Sequence, residues 1–169
     1  MPGRSFRKPG NLNYRLNNNA AISTMKLKYA ILLFSLILNW QACLAGPLHE
    51  AIMSNDTAEI KPLLKQKSAI NEVNEKGMWP LLIATTYGFE DVVSLLIESG
   101  ADVNQANSHG YTALHEAAGL GYYKITKLLL NKQANVHKRD ISNYNALNYA
   151  QMSGSDKVIR LLKRRGAKE

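Results

Sequence analysis

Apolar positions recur along residues 46–169 with a period of 33. Leu48, Leu81, Leu114 and Leu147 fall in register, as do Ala51, Ala84, Ala117 and Ala150, and Leu63, Leu96, Leu129 and Leu162. Pro47, Pro80, Ala113 and Ala146 hold a fourth column. Such a period marks units that cannot bury an apolar face alone and stack to share one. Each unit reads alike. A short helix carries Leu and Ala three apart, as in Leu114 and Ala117. A break follows at Asn55, Gly88, Gly121 or Gly154. A second helix has helical apolar spacing: Val92, Val93, Leu95 and Leu96 in one unit, Ile125, Leu128 and Leu129 in the next. Gly100 ends that helix, and a turn with Gly77, Gly110 or Asn143 supplies a residue tolerant of positive φ. The pattern predicts an all-α chain of about four helix–turn–helix repeats, near 46–73, 74–106, 107–139 and 140–169.

The end units depart from the pattern. The first lacks its own turn and starts almost on its helix. Pro62 sits in its second helix, where an interior proline costs about 3 kcal/mol. Asp56 and Glu59 form an N-cap pair that offsets a little of this. The first unit is therefore expected to be the least stable. The fourth ends in Lys163, Arg164 and Arg165, which suits a polar terminal cap.

Residues 1–45 follow a different logic. The apolar run 30–38 is nine residues long, against the roughly 20 that a spanning helix needs. Met25-Lys-Leu-Lys-Tyr29 precedes it, and small Cys43 and Ala45 follow. That order reads as a secretory signal peptide over 25–45, cleaved after Ala45. Polar residues 1–24 read as a disordered leader or a mis-assigned start ahead of Met25. Two alternatives stand beside this: an uncleaved anchor over 30–42, and a lipid on Cys43, for which Trp40 is an unsuitable upstream residue. Cleavage predicts a periplasmic or secreted domain of residues 46–169.

Charge bears on the partner. The chain of 169 residues has a net charge of +8, but residues 1–45 hold six basic residues and no acid. Residues 46–169 are near neutral at +2, so the charge does not argue for nucleic acid. A single cysteine, Cys43, excludes an internal disulfide framework and any multi-cysteine zinc site.

Three segments carry a family resemblance: Thr112-Ala-Leu-His-Glu-Ala117, Trp79-Pro-Leu-Leu-Ile-Ala84 and Gly46-Pro-Leu-His-Glu-Ala51. Gly100-Ala-Asp-Val-Asn104 adds a fourth. On these the chain resembles ankyrin-repeat proteins, and in particular small secreted or periplasmic bacterial ones. The fourth unit departs, reading Asn145-Ala-Leu-Asn148. The resemblance implies an all-α ankyrin solenoid with β-turn or hairpin loops between repeats. It also implies protein binding along a concave face built from turn tips and first helices.

Catalytic motifs find little support. His49-Glu50 and His115-Glu116 open like a zinc-protease helix, but the positions four residues after each histidine hold Met53 and Gly119. The bland reading is that both histidines bond within their turns. His109 and His137 stand without a ligand cluster, and no metal or cofactor is expected. Asn55-Asp-Thr57 matches a glycosylation acceptor. Lys157, Arg160 and Arg164 share one face of the last helix, either as a contact for an anionic surface or as a solvated cap.

The candidate partner-binding residues are those of the implied face. Met78, Tyr111 and Tyr144 form a ladder just after the turn column. Tyr87, Leu120 and Met152, with Thr86 and Ser153, lie on the first helices. The turn tips supply Lys76 and His109, with Glu75, Ser108, Ile141 and Ser142. Tyrosine and methionine suit an interface, since one covers area with few torsions and the other repacks. The competing reading is that the tyrosines only brace the stack. The expected function is a non-enzymatic, exported binding module for another protein, without nucleic acid or small-molecule substrate. A periplasmic helper of an envelope or oxidative-stress enzyme is one such role. Alternatives are a toxin-neutralising or host-directed effector, or a membrane-tethered scaffold.

Overall fold

A computed structural model describes residues 46–65 and 67–168; the leader, signal, anchor and lipidation readings of residues 1–45 lie outside the described residues. Eight α-helices stand among them: α1 Pro47–Met53, α2 Thr57–Leu63, α3 Pro80–Thr86, α4 Glu90–Glu98, α5 Ala113–Gly119, α6 Tyr123–Asn131, α7 Ala146–Met152 and α8 Asp156–Arg164. A 3-10 turn, Lys67–Asn71, follows α2. Among the described residues strand pairing is confined to an isolated antiparallel bridge, Ala106 to Thr112. The fold is an all-α repeat solenoid. First helices pack in a row from α1 through α3 and α5 to α7. The second-helix row is continuous from α4 to α8, and α2 meets α4 only loosely.

The predicted columns are the core. Leu48, Leu81, Leu114 and Leu147 are buried, and so are the four column alanines. Alanine lets neighbouring first helices approach closely. Leu96, Leu129 and Leu162 are fully buried, whereas Leu63 is only half so and lines an open groove of about 590 Å³ with Pro47, Ala51 and Pro62.

Left-handed backbone marks the joints. Positive φ occurs at Asn55, Gly88, Gly121 and Gly154 between the paired helices, and at Gly77, Gly110 and Asn143 in the hairpins. It also occurs at Gly100, Gln133 and Gly166 after the second helices. At Gly110 a Cβ would stand 3.0 Å from the Arg139 carbonyl, so neighbouring hairpins approach too closely for a side chain there. Gln133 takes the same left-handed role without being glycine, at φ 65°.

The end units carry the expected defects. Pro62 is the penultimate residue of α2, and that helix has seven residues against nine in α4, α6 and α8. The Asp56 carboxylate caps α2, accepting from Ala58 N at 2.8 Å and Glu59 N at 3.4 Å.

Candidate functional site

Each hairpin is built on one acceptor side chain. Asn74 Oδ1 accepts from the N–H groups of Lys76 and Met78, each at 3.0 Å. Asn107 Oδ1 does the same for His109 and Tyr111, again at 3.0 Å. Asp140 Oδ1 accepts from Ser142 and Tyr144 at 2.9 Å. These residues share a 33-residue column that the sequence reading missed, although Asn or Asp three positions before each turn residue was the available signal. The side chain replaces missing backbone partners at a tight reversal and fixes where the tip residues point. Ile141 N donates to the His109 carbonyl at 2.9 Å, tying one tip to the next.

The candidate residues then sort by surroundings. Lys76 and His109 stand exposed at tips. Met78 is half-buried against the core. Tyr87 is exposed and stacks on Phe89, ring centres 5.6 Å apart. Leu120 is exposed at the C-cap of α5, and Met152 is 71% exposed at the end of α7. Tyr144 is 45% exposed, but Tyr111 is not free surface. Its ring stacks on His115 at 5.3 Å and meets the Tyr149 edge at 5.3 Å, and its hydroxyl donates to Glu116 Oε2 at 2.7 Å.

Tyr149, Glu116 and Asp140 complete this cluster and were not foreseen. The Tyr149 hydroxyl donates to Asp140 Oδ2 at 2.6 Å, and Tyr144 packs edge-on to Tyr149 at 6.2 Å. Burial, and then the Glu116 bond, push Tyr111 far above the ordinary phenol range. Burial and the Asp140 bond raise Tyr149 to about 12. Desolvation opposes the Asp140 charge, but the Tyr149 hydroxyl and the Tyr144 and Ser142 N–H groups outweigh it and hold the carboxyl below its usual range.

The two signature histidines differ. His115 Nδ1 accepts from Thr112 N at 3.1 Å and lies 2.8 Å from Thr112 Oγ1, while Nε2 faces the Lys138 carbonyl at 3.1 Å. That pattern assigns the proton to Nε2, and burial keeps the pKa low. His49 is equally buried, yet neither ring nitrogen has a hydrogen-bond partner among the described residues. The reading that both histidines bond within their turns is therefore corrected for His49. The reason is local: Gly46 stands where Thr112 stands and brings no hydroxyl. The Glu72 and Met78 backbone lies near enough to favour a proton but outside bonding geometry. Among the described residues no group of three His, Cys, Asp or Glu could hold a metal ion, and no helix is long and apolar enough to cross a membrane.

One property of this face separates it from the rest. Among the described residues the exposed large apolar side chains are Met53, Val73, Tyr87, Leu120, Ile141, Tyr144 and Met152. All lie on hairpins or at the ends of first helices, and none lies on a second helix. Met53 and Val73 extend the expected set.

Stacked helix pairs joined by tied hairpins define a repeat solenoid of the protein-binding kind. The family described as ankyrin repeats (3 copies) matches residues 48–140 and 108–168, and the chain belongs to that family. Its repeats make it a protein–protein interaction module. Over 55 residues it is 40% identical to protein phosphatase 1 regulatory subunit 27 of Homo sapiens and to the Mus musculus protein of that name. The shared stretch covers 32% of this chain and 36% of each relative.

Proposed function

We propose that this chain is a non-catalytic binding module. It docks a partner protein on the face formed by hairpin tips and first-helix ends, the concave face of an ankyrin stack. The observation that carries this is that, among the described residues, the exposed large apolar side chains are confined to hairpins and first-helix ends. Clusters of exposed large apolar side chains mark interaction sites, and aromatic anchors dominate their energetics. The phosphatase regulatory subunits it resembles are, by name, regulatory rather than catalytic, which fits a helper that attaches to an enzyme. The signal pattern of residues 25–45 supports export, so the partner belongs in the periplasm or outside the cell. In this reading the chain is a periplasmic helper of an envelope or oxidative-stress enzyme.

The test is differential capture from native envelope and culture fractions. Wild-type chain is compared with Tyr87→Ser/Leu120→Ser/Met152→Ser and with a control altered only on α8. A partner retained by the control and lost with the triple variant supports the reading. Equal recovery on all three sinks it. Intact mass of the native protein decides the export clause: a mass starting at Gly46 supports cleavage, and an unprocessed cytosolic mass overturns it.

A further inference from the structure

Two grooves on the second-helix side occupy the same place in the repeat, 66 residues apart. One, about 320 Å³, lies between α2 and α4 and is lined by Thr57, Lys61, Asp91, Ser94, Leu95 and Glu98. The other, about 340 Å³, lies between α6 and α8 and is lined by Tyr123, Lys157, Arg160 and Arg164. Adding 66 to Thr57, Asp91, Ser94 and Glu98 gives Tyr123, Lys157, Arg160 and Arg164. The backbone geometry is repeated and the charge is reversed. The first groove answers its two carboxylates with Lys61. The second holds three cations and, among its lining residues, no carboxylate.

That arrangement opposes the stability of α8. Arg160 and Arg164 are four residues apart, and like charges at that spacing repel. Arg164 Nε reaches only the Arg160 carbonyl, at 3.4 Å. The charged groups nearby relieve it only in part. Asp156, four residues before Arg160 at the first position of α8, offsets one cation from outside the groove, and Glu90 is engaged with Lys124 at 3.0 Å, so the groove itself stays positive. An anion seated between α6 and α8 would relieve the repulsion.

We propose that the α6–α8 groove is a binding site for the phosphate groups of a soluble, multiply charged phosphate compound. Guanidinium groups match phosphate oxygens with paired donors, and Tyr123 on α6 lines the groove opposite them. Lys157 and Arg164 are about 10 Å apart along the helix, and Arg160 and Arg164 about 6 Å. One phosphate fits the arginine pair and a second reaches Lys157, so a diphosphate is held better than a single phosphate. A lipid surface is disfavoured because no exposed large apolar side chain lies on α6 or α8 to enter it.

The full chain is titrated with inorganic pyrophosphate, inorganic phosphate and chloride at matched ionic strength, and amide resonances are followed. The expected result is saturable shifts at Tyr123, Lys157, Arg160 and Arg164, with pyrophosphate about tenfold or more tighter than phosphate. The control is Lys157→Asp/Arg160→Ser/Arg164→Glu, which installs residues that the equivalent groove of α4 already accepts. It should keep the helical circular dichroism and lose the response. Absence of saturation, or equal binding by the control, overturns the proposal. Tighter binding to anionic phospholipid vesicles than to pyrophosphate, lost in the same control, overturns it in favour of a lipid headgroup. Concentration-dependent self-association abolished by that control overturns it in favour of a second copy, whose Asp91 and Glu98 would supply the anions.

Discussion

His49 shows what one column position requires. In the third repeat the same position is His115, held by Thr112 and the Lys138 carbonyl; in the second it is buried Leu82. A buried imidazole whose ring nitrogens lack well-formed hydrogen bonds recovers little of the hydration it forfeits. His49→Leu, copying the second repeat, is expected to stabilise the protein by about 1 kcal/mol at neutral pH, read from urea unfolding. Both histidines have pKa values lowered by burial from the ordinary 6.5, so the unfolded chain binds protons more readily. Their contribution to stability is full above pH 6.5 and is lost as pH falls from there through the folded pKa values. The leucine variant should flatten that loss, and an unchanged pH profile would refute the assignment. Gln133 is a second residue at odds with its backbone. A side chain in the left-handed region costs about 1 kcal/mol, and Gln133→Gly should recover most of it, raising the thermal midpoint. The tyrosines separate as well. Tyr111→Ala removes ring contacts and a bond to Glu116, and should cost about 2–4 kcal/mol of stability. Tyr144→Ala, at a largely exposed ring, should cost under about 1 kcal/mol and fall mainly on partner affinity. Comparable unfolding losses for the two would contradict this division.

At the scale of elements, the helix pairs were legible because burial imposes a period, and four copies display it. Two columns of positive φ, between the paired helices and in the hairpins, were legible for the same reason, since glycine or asparagine recurs in them; of the third only Gly100 was read, because Gln133 breaks the column with an ordinary residue. The aromatic–acidic cluster was not legible. Tyr149 meets Tyr111 across two repeats, so no single repeat contains that ring pair, and its bond to Asp140 ties helix α7 to the hairpin that opens the same repeat. The hairpin acceptors form a column in the sequence, but the glycine or asparagine three residues on accounts for the turn by itself and leaves their role unmarked. Charge reversal between the two outer grooves emerges only when units are overlaid at twice the period. Helix α2 shows how a local rule sets an element's length. Proline at position 62 has no N–H to donate to Ala58, and the helix stops two residues short of its counterparts. Pro62→Ala should extend α2 and slow amide exchange at Leu63 and Leu64. Unchanged exchange there would assign the short helix to another cause.

At the scale of the molecule, a solenoid's stability is the sum of its units and their interfaces, so its ends decide where it opens. The two ends here are unequal. The fourth repeat closes well: Asn145 Oδ1 accepts from Leu147 N and Asn148 N, Asn148 Oδ1 accepts from Asn145 N, and Asn145 Nδ2 donates to the Lys168 carbonyl at 2.7 Å. Arg165 adds a bond to Asn131 at 2.5 Å on the repeat before. Between repeats, Asn71 Oδ1 accepts from Asp102 N at 2.9 Å and Asn104 Oδ1 from Asn135 N at 2.7 Å, so hairpin-proximal backbone is linked across the first two of the three joins. The first repeat has the opposite features. Its histidine is unpaired, its second helix is cut short, Leu63 is half-exposed, and α2 barely touches α4. Local opening follows such deficits in buried contact. Native-state hydrogen exchange should therefore find the Ile52 and Ile60 amides opening at lower free energy than those of Leu129 and Leu162. Uniform protection would mean that the stack unfolds as one unit. The gap has a stated origin, so it should also be removable. His49→Leu combined with Pro62→Ala acts on two separate defects of the same repeat and should raise protection of α1 and α2 while leaving that of α6 and α8 unchanged. A rise shared by all four repeats would place the stabilisation in the whole stack rather than in its first unit.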